Sequence, residues 1–375
     1  MSKRIYLDFN ATTPPLDDVI DAQRDAAKSA WGNPSSIHED GRRARSIVED
    51  ARAQVALLAE CDARDVIFTS GGTEANNLAL RSAFTKAPRL LITSVLEHPS
   101  VVRVAEALER EGKATVRWAD VAPNGAVDVG SVERILAAEN AGTVVIAIQA
   151  VNHETGIFQP IAEILQLAAK CNAWLHVDAV QAFGRRADVV SHATTRSISA
   201  HKIRGPKGIG ALMTLPDMKI EPVLRGGAQE RGIRPGTIDP VAAAGFAVAA
   251  AHAKKTATAY EAKAPLRDAL EAALVSFGGI VNGGGAGVTR APHVTNVSFP
   301  KWVGAEMVAA LDLEGVSVSS GSACSADTIE PSPVVSAIAG EARAKSAVRI
   351  SLGTTTTETE ITRAIEVFRL VTSRI

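Results

Sequence analysis

The run TVVIAIQAV at residues 143–151, the helical pattern IAEILQLAAKCN after it, and a second run, WLHVDAV, at residues 174–180 indicate the fold. Both runs are apolar almost throughout, which is typical of strands buried on both faces of a sheet. A helix between two such strands is the connection that parallel strands need. The alternation continues on both sides, with strand candidates at residues 65–70, 89–95, 197–200 and 208–215. We therefore predict an α/β fold with a large, mostly parallel sheet.

The pattern changes after Lys254. A long Ala-rich helical stretch runs to Phe277, and strand candidates at residues 295–300 and 316–321 follow a Gly-rich turn. Because 375 residues exceed the usual size of one hydrophobic core, a second domain is expected. We predict a large domain at residues 15–254 and a smaller α+β domain formed by residues 1–14 and 255–375.

The composition is that of an ordinary globular protein, with 46% hydrophobic and 22% charged residues. The formal net charge of −1 gives no electrostatic support for binding nucleic acid or a membrane surface. We expect no secretory signal, because the N-terminus lacks an apolar core segment, and no membrane span, because no apolar run approaches ~20 residues. The three cysteines form no disulfide framework, so a cytoplasmic, reducing location is expected.

The motif SGGTEANN at residues 70–77 follows a strand and opens a helix. Gly71, Gly72 and Thr73 place backbone N–H groups and a hydroxyl at a helix N-terminus, which favours a phosphate. A plain strand–helix turn with a capping Thr is an equally good interpretation of this motif alone.

The motif HVDAVQ at residues 176–181 ends an apolar run. Asp178 is predicted at the carboxyl edge of a parallel strand, where α/β sheets place their ligands. A carboxylate there can hold a protonated pyridine nitrogen, although Asp178 could also cap a helix. Gln181 could donate a hydrogen bond to a phenolic oxygen or cap the next turn.

Lys202 lies in SISAHKIRGPKGIG, 24 positions after Asp178. A lysine in a desolvated pocket has a lowered pKa and can form a Schiff base. A loop lysine is more often a solvated charge, and Lys207 competes for the same role.

Cys324 lies in SVSSGSACSA, a segment of small residues that offers no apolar neighbours. A thiol in such a loop can approach a substrate and leave again. Cys61 and Cys171 instead follow apolar helical stretches and are interpreted as packing or helix-end residues.

Two further candidates are His98, directly after a strand, and Arg349 in AVRISLG. An imidazole can stack on a pyridine ring, and a guanidinium can bind a carboxylate in a bidentate manner. The alternatives are a helix-start histidine and an edge-strand arginine. The remaining histidines lack metal-ligand spacing, so no metal site is predicted.

The sequence resembles the cysteine desulfurases of the NifS/IscS type, which have the aspartate-aminotransferase-like fold (fold type I) of pyridoxal-phosphate enzymes. The resemblance runs from YLDFNATTP at residue 6 to RISLG at residues 349–353. Between them lie, in register, GNPSSIH (32–38), FTSGGTEANN, EH (97–98), HVDAVQ, SAHKIRGPKGIGAL, ERGIRPGT (230–237) and SSGSACS. Several motifs in the same order are far more specific than any one of them.

The resemblance implies a role for each matching position in binding pyridoxal 5'-phosphate. Lys202 would form the Schiff base, Asp178 would pair with the pyridine nitrogen, and Gln181 would donate to the phenolic oxygen. The phosphate would be held at Gly72 and by Thr73, Ser199 and His201, and Thr237 would reach the phosphate of the partner subunit. A homodimer with shared active sites is therefore expected.

The resemblance also implies the chemistry. His98 would stack on the ring and serve in proton transfer, and Arg349, with Asn33 nearby, would bind the carboxylate of L-cysteine. Cys324 would attack the substrate sulfur and become a persulfide. The domain at 15–254 would bind the cofactor, and the smaller one would carry the cysteine loop, which passes sulfur to an acceptor or iron–sulfur scaffold protein.

One position departs from the family. The usual Asn-Asn-Glu-x-Gly is replaced by Asn152, His153, Glu154, Thr155 and Gly156. The cofactor-contacting asparagine therefore aligns with His153. Because imidazole titrates near neutral pH, we expect an additional titration in the pH–rate profile.

Other functions on the same fold stay open at this point. A selenocysteine lyase or a cysteine/cystine C–S lyase need not form a persulfide on the protein, and Cys324 favours the desulfurase over both. An inactive cofactor-binding partner of a sulfur-transfer complex is disfavoured because such a protein needs neither Lys202 nor Cys324. The sequence does not identify the sulfur acceptor.

Overall fold

The computed structural model describes residues 4–85, 89–139, 143–186, 192–320 and 331–374. The strands in these ranges are β1 Ile5–Tyr6, β2 Val66–Thr69, β3 Arg89–Thr93, β4 Ala114–Trp118, β5 Val144–Gln149, β6 Trp174–Asp178, β7 Thr195–Ser199, β8 Gly210–Thr214, β9 Ile280–Val281, β10 Val294–Ser298, β11 Val316–Ser317 and β12 Ala347–Ser351.

The α-helices of the same ranges are α1 Asp17–Ser29, α2 Glu39–Ala59, α3 Gly72–Ala83, α4 Pro99–Arg110, α5 Val129–Ala138, α6 Ile161–Lys170, α7 Pro240–Thr256, α8 Ala264–Ser276, α9 Gly304–Leu313, α10 Pro333–Ala339, α11 Glu341–Ala344 and α12 Glu358–Thr372. Short 3-10 helices cover Ala63–Asp65, Ala200–Lys202, Gln229–Gly232 and Ala257–Lys263. None of the helices described is long and apolar enough to cross a membrane.

Seven strands form the large sheet, in the order β2-β8-β7-β6-β5-β3-β4. The five strands β4, β3, β5, β6 and β7, which are neighbours in that order, are mutually parallel. Strand β8 runs antiparallel to both of its neighbours, β2 and β7. In the register of the central strands, Gln149 pairs with Asp178 and Asp178 with Ser197. Because β5 and β6 end level with each other and β7 ends two residues further on, the residues that follow them lie at one carboxyl edge.

Side chains of β5 explain why its sequence is apolar at every position. Ile146 and Ile148 join one core, which includes Phe246 of α7, whereas Val145 joins a second core on the opposite face with Val104 of α4. Both faces of the sheet are therefore covered by helices. The predicted α/β fold with a mostly parallel sheet is confirmed.

A three-stranded antiparallel sheet, β12-β10-β9, and a two-stranded parallel sheet of β1 and β11 lie outside the large sheet. They share a third core, in which Leu7 of the N-terminal segment packs with Met307, Ile350 and Phe368. The N-terminal segment thus belongs to the core built from the C-terminal part of the chain. The division into domains at residues 15–254 and 1–14 with 255–375 stays a prediction.

Candidate active site

Lys202 ends the 3-10 helix that follows β7 at the carboxyl edge of the sheet. Its side chain is half-buried, and its Nζ donates to the carbonyl oxygens of Asn10 at 2.6 Å and Ala11 at 2.9 Å. Lys207, its competitor, is exposed. Lys202 is therefore held against the N-terminal segment, and it is not a solvated loop charge.

Asp178 is the last residue of β6 and is buried. Its Oδ2 accepts from Asn76 Nδ2 at 2.7 Å, and its Oδ1 accepts from the Val180 N–H at 3.0 Å and from Ser197 Oγ at 3.4 Å. The bond from Val180 shows that the carboxylate also fixes the turn after the strand. These donors satisfy the carboxylate, and none of them carries a charge.

The N-terminus of α3 lies close to the ends of β6 and β7. A Cβ atom on Gly72 would lie 2.7 Å from Val180 Cγ2, and one on Gly71 would lie 3.7 Å from Ser199 Oγ. Gly71 also has a φ of +155°, a value at which side chains are rarely found. The glycines therefore let helix N–H groups approach this edge, where Thr73 is exposed and Ser199 is buried.

His201 and Gln181 complete this edge of the site. His201 Nδ1 lies 3.0 Å from Thr12 Oγ1, and burial lowers the pKa of His201 to about 4, with the positive charge of Lys202 acting in the same direction. Gln181 Nε2 donates to the Asn10 carbonyl oxygen at 3.0 Å. Both residues therefore contact the segment that also receives Lys202.

His98 and His153 are neighbours at the same edge. Their ring centroids are 5.4 Å apart and the rings meet edge-on at 73°. His98 caps α4 by accepting the Ser100 N–H at Nδ1. A cavity of about 350 Å³ beside His98 is lined mainly by polar side chains, which include Thr73, Asn77, Arg81, Ser100 and Arg103.

Arg349 lies on β12 and is 2% exposed. One guanidinium nitrogen is paired with Asp8 Oδ1 at 2.7 Å, and another donates to the His153 carbonyl oxygen at 3.3 Å. Its Nε has no hydrogen-bond partner among the described residues. The guanidinium is therefore only partly satisfied, and it lies next to His153.

The profile of the class-V aminotransferases matches residues 5–364. The chain belongs to this family. It is 37% identical to the cysteine desulfurase of Nostoc sp., over 99% of this chain and 93% of that protein. Among solved structures, a NifS-like protein is 30% identical with a TM-score of 0.91, covering 99% of this chain and all of that one. A structure of SspA in complex with cysteine is also 30% identical, with a TM-score of 0.80, covering 93% and 98%.

These likenesses confirm the aspartate-aminotransferase-like fold and the resemblance to NifS/IscS-type enzymes. Class-V aminotransferases generally depend on pyridoxal phosphate. No group of three or more His, Cys, Asp or Glu side chains that could hold a metal ion occurs in the described part of the chain.

The described contacts do not test the predicted roles of three positions in this class-V aminotransferase. Cys324 lies outside the described residues. Asn33 lies in an exposed turn, where its Oδ1 accepts from the Ser35 N–H at 2.9 Å, and none of the described contacts of Arg349 involves it. Thr237 is exposed in the loop after the 3-10 helix Gln229–Gly232. The roles of these residues stay predictions.

Sequence reasoning missed several residues of the site. Arg185 is buried and donates to Asn10 Oδ1 at 2.8 Å and to the Lys202 carbonyl oxygen at 3.1 Å, so it ties the lysine to the N-terminal segment. Asn76 donates to Asp178 although it lies on a helix. A polar residue on the buried face of α3 was the available signal for Asn76. No comparable signal marked Arg185.

The expected titration of His153 near neutral pH is not supported. Burial lowers the pKa of His153 well below its usual value, and the positive charges of Arg349 and Lys202 act in the same direction. The ring therefore stays neutral at neutral pH. Its Nδ1 lies 3.4 Å from Gln149 Oε1, and its Nε2 lies 3.7 Å from Glu154 Oε1.

Proposed function

We propose that this protein is a pyridoxal-phosphate-dependent cysteine desulfurase, which converts L-cysteine to L-alanine and passes the sulfur to Cys324. The observation that carries the proposal is the arrangement of a half-buried lysine, a buried carboxylate with neutral partners, and a glycine-lined helix N-terminus at one sheet edge. The similarity to cysteine desulfurases over nearly the whole chain supports the same substrate.

The residues present fit the cofactor. Lys202 supplies the amine for its carbonyl carbon, and Asp178 supplies the anion for its pyridine nitrogen. The N-terminus of α3 at Gly72 and Thr73, with Ser199 and His201, offers uncharged donors and a helix dipole to its phosphate. At residue 72 glycine fits beside the Val180 side chain, which brings the N-terminus of α3 against the turn that follows β6.

Gln181, His98 and His153 complete the proposed cofactor site. Gln181 and His153 offer hydrogen-bonding groups to the phenolic oxygen, and His98 offers a ring for stacking. When bound, pyridoxal phosphate stabilises the negative charge that develops at the substrate Cα. The Nζ of Lys202 would be the base that moves the proton at that carbon.

Arg349 binds the substrate carboxylate. Asp8 orients the guanidinium through one nitrogen, the His153 carbonyl oxygen accepts from another, and Nε, which has no partner among the described residues, remains to donate to a substrate carboxylate. Asn33 is proposed to assist. Burial strengthens such a charge-assisted pair, since the exposed fraction of Arg349 is only 2%.

Cys324 acts as the nucleophile. Its thiolate forms an S–S bond with the substrate sulfur while the C–S bond breaks, and the electron pair of that bond stays on the substrate carbon, which takes up a proton. The products are L-alanine and a persulfide on Cys324, so atoms and electrons balance without an external oxidant.

We also propose a homodimer with shared sites, in the cytoplasm. Trp31 and Ile37 are 71% and 87% exposed, and Thr237 is exposed on a loop that the ion pair of Arg234 with Glu74 fastens to α3. Exposed apolar side chains of this size favour a partner surface. The persulfide would pass its sulfur to an acceptor or iron–sulfur scaffold protein.

The test is the release of alanine and sulfide from L-cysteine with a reductant present, comparing the wild type with Cys324→Ser. The wild type should turn over, and the variant should lose turnover while it still binds pyridoxal phosphate. Turnover that survives the substitution would assign the protein to the C–S or selenocysteine lyases.

A further inference from the structure

A buried chain of hydrogen bonds connects the large sheet to His98. It begins at Trp174, whose Nε1 lies 2.9 Å from Thr195 Oγ1, and continues to His176 Nδ1 at 3.0 Å from the same hydroxyl. His176 Nε2 lies 3.0 Å from Asn76 Oδ1. These four residues are all buried, so water does not compete for these bonds.

Asn76 divides the chain into two branches. Its Nδ2 donates to Asp178 Oδ2 at 2.7 Å and to Ser100 Oγ at 2.8 Å. Ser100 Oγ lies 2.8 Å from His98 Nδ1, and the Ser100 N–H donates to the same nitrogen at 3.1 Å. One branch therefore ends on the carboxylate and the other on the imidazole.

The carboxylate of Asp178 fixes the orientation of Asn76, because an ionised carboxylate can only accept. Asn76 must present its NH₂ group to Asp178, so its oxygen faces His176. His176 Nε2 therefore carries a proton and donates to that oxygen.

The position of the proton on His98 follows from the contacts of its Nδ1. Ser100 Oγ, which accepts from Asn76 Nδ2, lies 2.8 Å from this nitrogen. A backbone N–H, which can only donate, points to that nitrogen as well. His98 Nδ1 is thus an acceptor, and the proton of the neutral ring lies on Nε2.

We propose that Asn76 and Ser100 are positioning residues that hold the neutral ring of His98 as the Nε2–H tautomer, so that Nε2 is the nitrogen from which His98 donates. Protonation of Nδ1 would direct an N–H at the Ser100 N–H and break the cap of α4. The inference rests on the proposed function, because it concerns how the site treats its substrate.

The charged groups around His98 are consistent with this state. Asp178 faces it from β6, Lys202 from the 3-10 helix and His153 from the end of β5, while Arg81 and Arg103 line the adjacent cavity. Burial is the main cause that lowers the pKa of His98; the charge of Asp178 opposes this lowering, and that of Lys202 reinforces it.

Nitrogen NMR of the full-length protein with isotope-labelled histidine tests the tautomer, with His98→Gln identifying the signals. We expect His98 Nδ1 to be unprotonated and Nε2 protonated, with no change between about pH 8 and 6. Ser100→Ala should raise the pH at which His98 protonates by about one unit, a tenfold change in that equilibrium. Ser100→Thr, which keeps the hydroxyl, should restore the wild-type value.

Ser131→Ala is the matched control, because Ser131 is also a buried serine near a helix start and accepts from the Asp120 N–H. It should leave the His98 signals unchanged. An Nδ1–H tautomer, a titration near pH 6.5, or equal effects of the two alanine variants would overturn the proposal. None of these NMR measurements depends on alanine formation. They can therefore fail or succeed independently of the proposed function.

Discussion

The carboxyl edge of the large sheet and the edge strand β12 both bury a charge, but they satisfy it differently. Asp178 accepts from Asn76, Ser197 and a backbone N–H, all of which are neutral. Arg349 is paired with the carboxylate of Asp8. The first region surrounds its carboxylate with uncharged donors, whereas the second pairs its guanidinium with an anion.

The largest effect is expected for Lys202→Ala. Loss of the amine that binds cofactor and substrate should lower alanine formation by more than about 1,000-fold. Lys207→Ala, in the same segment but exposed, is the control and should change the rate by less than about twofold. Comparable losses in both variants would mean that the segment matters only for folding.

The charge at the sheet edge is tested by Asp178→Asn. The neutral amide keeps the size of the side chain but turns an acceptor into a group that can also donate towards Asn76. We expect kcat to fall by about 100-fold, measured as alanine release with saturating pyridoxal phosphate. An unchanged kcat would mean that the neutral partners of Asp178 do not serve to preserve its charge.

The charge on β12 is tested by Arg349→Lys. A lysine ammonium lacks the several nitrogens with which a guanidinium can bind Asp8 and a substrate carboxylate at once. KM for L-cysteine should therefore rise by about tenfold or more. Inhibition by cysteamine, which lacks the carboxylate, should not change. Equal weakening of both ligands would show that Arg349 supports the structure and does not bind the carboxylate.

Much of the first region could be predicted from the sequence. Strand ends can be located from apolar runs, and Asp178 and Lys202 follow such runs directly. The antiparallel β8 was not predictable, because its apolar run looks the same in either direction. The pairing of Asp8 with Arg349 in the second region could not be predicted from the sequence. The two residues are 341 positions apart, and no local pattern indicates that they meet.

A smaller effect, on stability, is expected from the hydrogen bond between Ser332 and Glu154. Ser332 Oγ donates to the buried Glu154 at 2.6 Å, next to His153, and accepts the Val335 N–H as the cap of α10. Ser332→Ala should lower the free energy of unfolding by about 1–2 kcal/mol in urea titrations. Ser276→Ala, which removes an exposed hydroxyl, is the control, and an equal loss there would contradict this account.

The smallest effect concerns pH. Because burial lowers the pKa of His153 in the folded protein, the unfolded chain takes up a proton first as the pH falls below about 6.5. Stability is therefore complete above that pH and is lost below it, by up to about 1.4 kcal/mol per pH unit from this group. His153→Asn should reduce that slope and leave the pH–rate profile near neutrality unchanged.

His38→Asn is the control for this slope, because His38 is exposed and asparagine can replace it as the cap of α2. If His153→Asn shifts the pH–rate profile near neutrality, the ring titrates in the working enzyme and burial does not keep it neutral.

The most direct test of the central claim is the mass of the peptide that contains Cys324 after one turnover of L-cysteine without reductant. We expect one added sulfur atom on Cys324 in the wild type and none in Lys202→Ala. Alanine formation with an unmodified Cys324 and free sulfide in solution would contradict it.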